Sequence, residues 1–105
     1  MILRVVHAAV LPEKKQEFLN FVSDTLVPAV RNMPGCRFFY VAECVERCHE
    51  HEVIFINGWD TEAQAEAIEK ADFYEGAASS ATGFYTHRFH EGALHIHYRT
   101  IAGQA

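Results

Sequence analysis

The chain has 105 residues, half of them hydrophobic and 12 % aromatic, with a formal charge of −5 and a pI near 5.7. That composition excludes a disordered polymer, and the acidic balance leaves no basic stripe to neutralise phosphates, so nucleic acid is not an expected partner. The length predicts a single domain over residues 1–105 with one core of its own.

No apolar run reaches the length of a membrane-spanning helix, and residues 1–5 lack both a basic region and a cleavage site, so the expected compartment is the cytoplasm, with no membrane partner. Cys36, Cys44 and Cys48 are odd in number and fall at no metal-ligand spacing. They read as reduced, small buried or loop thiols without a chemical role.

In chain order, residues 2–11 are rich in Val, Leu and Ile, with His7 as the only neutral polar side chain, and predict a strand buried on both faces. Pro12 suits a first helical position, and Glu13 sits near the positive end of the helix it opens. Phe18, Val22, Leu26, Val30 and Met33 then fall near one stripe, which predicts a helix lying on the sheet. Pro28 removes the hydrogen bond to the Asp24 carbonyl, so a kink or break is expected between residues 24 and 28.

Pro34-Gly35 is a turn pair, because proline presets one turn dihedral and glycine accepts the positive φ that follows. Residues 36–45 and 53–59 are aromatic, β-branched or small and predict a hairpin, joined by the polar segment 46–52. Period two puts Val53, Phe55, Asn57 and Trp59 on one strand face and Ile54, Ile56 and Gly58 on the other. Both faces are largely apolar. One layer of helices covers only one of them, so a second subunit's sheet is expected on the other, giving a homodimer through the sheet face.

Thr61-Glu62-Ala63-Gln64 fits a capping box, and the second helix it starts is expected to run, bent or in two parts, to about residue 82, with Gly83 ending it. Residues 84–90 read either as a strand or as an extended arm, and residues 94–101 as the last strand. The order β-α-β-β-α-β predicts an α+β, ferredoxin-like antiparallel sheet with both helices on one face.

With that order in place, the residues resemble the antibiotic biosynthesis monooxygenase family, whose subunits pair sheet to sheet into a dimeric α/β barrel. The resemblance rests on a short first strand running into a long helix with Phe18 early in it, and on Pro34-Gly35-Cys36 before a strand carrying Phe39 and Tyr40. It rests also on Asn57-Gly58-Trp59 at the end of the third strand and on Thr61 as the following cap. It covers residues 2–75. The second helix lacks the histidine many relatives carry, and Asn57 stands where an acidic residue is usual. Haem-degrading relatives pair a strand-one asparagine with the tryptophan and that histidine, whereas this chain keeps only Trp59 and has His7 at the asparagine's place. These departures count against haem degradation.

The resemblance implies a cofactor-independent monooxygenase-like enzyme, using neither metal nor flavin, on an aromatic, phenolic or quinol-type small molecule. It places His7, Asn57 and Trp59 together in one pocket. His7 is then the candidate base, Asn57 the group that binds the developing oxyanion and Trp59 the stacking surface, with Phe39, Phe55 and Tyr98 as walls. His95 and His97 share a strand face with Arg99, opposite Leu94, Ile96 and Tyr98, and are the reserve base and further pocket residues. A metal on that pair would need His87, His90 or Glu91 as well, and the spacing is not diagnostic, so no metal is expected. His49-Glu50-His51 reads as a solvated turn. A non-catalytic small-molecule-binding or stress-response protein on the same fold is the alternative, and a metal- or haem-binding protein is a third.

Overall fold

The computed structural model describes residues 1–46, 51–71, 85–88 and 96–104. Strand β1 (Ile2–Val10) leads through a 3-10 turn (Pro12–Lys14) into α1 (Lys15–Phe21), a π-helical stretch (Val22–Leu26) and α2 (Val27–Arg31). The hairpin strands β2 (Cys36–Glu43) and β3 (Glu52–Trp59) follow, then α3 (Glu62–Ala67) with a 3-10 turn at Ile68–Lys70, and finally β4 (Tyr85–Arg88) and β5 (Ile96–Arg99).

The first helix shows how its sequence copes with Pro28. Steps of four in an α-helix of 3.6 residues per turn advance the stripe by about 40° each time, so Phe18, Val22, Leu26 and Val30 would drift off the sheet. The wider π turn offsets the drift, with the Val27 amide donating to the Val22 carbonyl. All four side chains are buried. Pro28 falls in the first turn of α2, where its missing N–H costs least, so the expected irregularity occurs as a π turn just before it.

Gly35 makes the turn out of this helix at φ +81°. The sheet runs β2-β3-β1, antiparallel throughout, and the far side of β1 is shared by two short strands. β4 pairs with Ala8–Val10 and β5 with Ile2–Val5. Residues 85–88 are therefore a strand. β5 ends earlier than expected because its partner runs out: Thr100 donates from its amide to the Met1 carbonyl at 3.0 Å, and Ile101 lies in solvent.

The Thr61 capping box forms in both halves. The Gln64 amide donates to Thr61 Oγ1 at 3.2 Å, and the Thr61 amide to Gln64 Oε1 at 3.1 Å. The first part of the second helix stops at Lys70, and the expected continuation toward residue 82 lies outside the described residues. The helices cover one sheet face, where Ile2, Val10, Phe39, Phe55 and Trp59 meet the first-helix stripe and Ile68. This is the ferredoxin-like α+β arrangement. Among the described residues no helix is long and apolar enough to cross a membrane.

Within the single chain β1 is largely buried on its helix side, and His7 is exposed on the side away from the helices, the face for which a second subunit is expected.

Candidate functional site

Residues in register on antiparallel neighbours share a sheet face, and four registers line up into one row beneath the helices. Phe39 of β2 lies opposite Asn57 of β3, Asn57 opposite Arg4 of β1, and Arg4 opposite His97 of β5. With strands about 4.8 Å apart, the row runs three steps across the sheet. Trp59 lies one step along the same face of β3, in register with Ile2.

The middle of this row is dry. Asn57 and Trp59 are 0 % exposed and Arg4 is 3 % exposed. Trp59 Nε1 donates to Asn57 Oδ1 at 2.6 Å. Because an indole N–H only donates, the atom facing it must be the amide oxygen, and this contact fixes which way the amide points. Asn57 Nδ2 is left as a buried donor with no hydrogen-bond partner among the described residues. Keeping such a donor unsatisfied costs about 1–3 kcal/mol, so the indole contact accounts for the amide oxygen but leaves Nδ2 in want of a partner. A ligand oxygen would supply one.

At the open end of the row His97 is half-buried, and α3 brings Glu62 and Glu66, one turn apart on one helix face, against it. One donor atom from each of Glu62, Glu66 and His97 lies within 4.8 Å of the other two, a set able to take a divalent cation. His97 therefore meets acidic side chains of α3. The partners expected for a metal, His90 and Glu91, lie outside the described residues, as does His95, and for His87 only the backbone is described.

The structure divides the expected pocket between two faces. Asn57, Trp59, Phe39, Phe55 and His97 are on the helix side. His7 is in register with Ile54 and Tyr98 with Leu3, so both are on the opposite face, and both are exposed. His7 cannot reach the Asn57 amide through the sheet, which corrects the expectation that His7, Asn57 and Trp59 converge. Phe55 packs edge-on to Phe18, with ring centroids 6.0 Å apart. Arg4, Glu62 and Glu66 were not singled out from the sequence. The available signal was a lone arginine in an apolar strand and an i, i+4 pair of glutamates on a short helix.

Of the cysteines, Cys36 donates to the Phe38 carbonyl at 3.6 Å. Burial pushes its thiol above the ordinary range, although the nearby Arg31 charge and the Phe38 hydrogen bond pull the other way. A thiol held protonated is a weak nucleophile, in keeping with a packing role.

The model of the antibiotic biosynthesis monooxygenase family matches residues 1–79. The chain belongs to that family. A search of curated proteins finds no match. Solved structures similar to this family member include a protein of Nitrosomonas europaea assigned provisionally as an antibiotic biosynthesis monooxygenase, with 14 % identity over 97 % of this chain and 100 % of that one and a TM-score of 0.80. A conserved protein of Methanosarcina mazei is 20 % identical over 95 % of this chain and 92 % of its own, with a TM-score of 0.79. A Deinococcus radiodurans protein with the same provisional assignment is 15 % identical over 100 % and 95 %, also with a TM-score of 0.79. At these identities the likeness concerns the fold.

Proposed function

We propose that this family member is a monooxygenase-like enzyme that oxidises an aromatic, phenolic or quinol-type small molecule bound against the polar row, with no metal or flavin taking part. The observation that carries the reading is the Trp59–Asn57 hydrogen bond, which aims a surplus amide donor into a dry site. Such a donor is matched to an oxygen that gains negative charge during reaction.

His97 replaces His7 as the base in this reading, because it lies on the same row as Asn57. It takes a proton from an activated ring methylene, and Asn57 Nδ2 holds the enolate or phenolate oxygen that results. The electron-rich anion passes one electron to O₂, and the radical pair recombines to a peroxide anion, which takes back the proton held by His97 to become a hydroperoxide. The hydroperoxide then loses water to leave a ketone, so CH₂ and O₂ become C=O and H₂O. Arg4 holds positive charge beside the developing anion, and the helices keep water from the intermediate.

The test is oxygen uptake with an anthrone or a quinol, measured on the untagged protein with its metal content analysed. His97→Gln should lower kcat about 100-fold or more at unchanged melting temperature. Trp59→Phe, which releases the Asn57 amide, should lower kcat more than it raises KM. Turnover that requires added metal would instead favour the second reading, a metal site on Glu62, Glu66 and His97, and absence of turnover with every probe would favour a binding protein.

We infer further that two chains pair through the open sheet face, which carries Leu3, Val5, Phe38, Tyr40, Ile54 and Ile56. His7 would then lie at the interface between subunits.

A further inference from the structure

A ligand-sized feature apart from the polar row lies on the helix side of the sheet. Toward the hairpin end a pocket enclosing about 190 Å³ opens between α1 and the sheet. Val10, Val41 and Val53 form its floor, and Pro12, Phe18 and Leu19 its walls. About 150 Å³ of apolar cavity is enough to hold a benzene ring. The pocket is separate from the row: Val53 and Asn57 are four residues, or about 13 Å, apart along β3, and the edge-on Phe18–Phe55 pair stands in that interval.

Its polar groups gather at the mouth. Lys15 Nζ meets Glu43 Oε2 at 2.8 Å with both side chains about half exposed, at 49 % and 55 %, and the exposed His51 lies beside them. An ion pair so exposed is worth about 0–1 kcal/mol, so an incoming group can replace one partner at little cost. Among the described residues the mouth presents the Lys15 ammonium already carrying a carboxylate, so the carboxylate of a ligand fits the same place. The alkyl stem of Lys15 also extends the apolar wall while its ammonium stays at the surface.

We propose that this pocket is a second ligand site, distinct from the polar row and independent of any turnover there, that takes a one- or two-ring aromatic carboxylate. The rings occupy the valine-floored chamber, and the carboxylate takes the place of Glu43 on Lys15.

The probe is 2-naphthoate, with its neutral isostere 2-naphthamide as control, titrated into the full chain and followed by amide and methyl NMR. Saturable shifts are expected at Val10, Leu19, Val41 and Val53, with the Asn57 side-chain amide and the Trp59 indole N–H unmoved. Lys15→Met should weaken 2-naphthoate at least fivefold and leave 2-naphthamide unchanged. Two filling variants, Val53→Phe and Leu19→Trp, should each abolish binding of both probes, and the exposed position of Leu19 makes the second one safe for folding. Shifts centred on Asn57 and Trp59 would overturn the proposal, as would no saturation up to millimolar probe, equal loss of both probes in Lys15→Met, or full binding by a folded filling variant.

Discussion

Gly35 is a residue whose side chain is missing for two reasons. Its φ of +81° lies where L-residues are strained, and an added Cβ would overlap the Gln64 side-chain amide that closes the capping box. The turn out of the first helix and the start of α3 therefore press on a single point, and the Asp60 amide bonds to the Gly35 carbonyl at 3.0 Å to hold them together. Gly35→Ala should destabilise the protein by about 2 kcal/mol, combining left-handed strain with a disturbed cap. In thermal unfolding that is a drop in Tm on the order of 10 °C. A variant within 2 °C of the parent would mean that Gln64 moves aside and the cap is dispensable.

At the scale of elements, α3 is too short to be stable by itself and depends on its ends and on what it covers. Thr61 and Gln64 satisfy each other's backbone donors, while Ala65 and Ile68 press onto the sheet beside Trp59. Thr61→Ala should cost about 1 kcal/mol, and Thr61→Ser should recover most of it. Because Glu62 and Glu66 ride on this helix, the weakened cap should also loosen their approach to His97. Any oxidase activity at the row should then fall in Thr61→Ala by more than the stability loss accounts for. This pattern was legible in advance from four residues, Thr61-Glu62-Ala63-Gln64, because a capping box is a local hydrogen-bond exchange that needs no tertiary partner. The stripe Phe18-Val22-Leu26-Val30 was legible for the same reason, although the π turn that keeps it straight was expected only as a kink.

For the molecule as a whole, the unresolved balance is the open face. Ile54 and Ile56 are half-covered there, Tyr40 and Tyr98 are exposed, and Phe38 packs against Gly58 closely enough that no side chain fits at that glycine. Apolar surface of this extent on a small domain points to a partner, and a second copy provides a matching face by two-fold symmetry. Light scattering should give twice the chain mass at micromolar concentration, and Ile56→Asp should give the monomer with its far-ultraviolet spectrum retained. A monomeric parent protein would remove the pairing and leave His7 as a solvated residue.

By itself the sequence determined the first helix, the hairpin and which residues of a strand share a face, since these follow from local periodicity and turn chemistry: Val53, Phe55, Asn57 and Trp59 do share a face, as do His97 and Arg99. It left open how the faces of different strands match. Asn57 had to meet either the even or the odd residues of β1, and a shift of one residue in register exchanges the two sets completely. Pairing in the fold put Arg4 beside Asn57 and sent His7 to the other side. Glu62 and Glu66 reached His97 across 31 residues or more of chain for a similar reason, because only packing of α3 over the end of the sheet brings them together. The chemistry of the site thus depends on inter-strand register and helix docking, which are set by the burial of the whole core and not by any stretch of sequence alone.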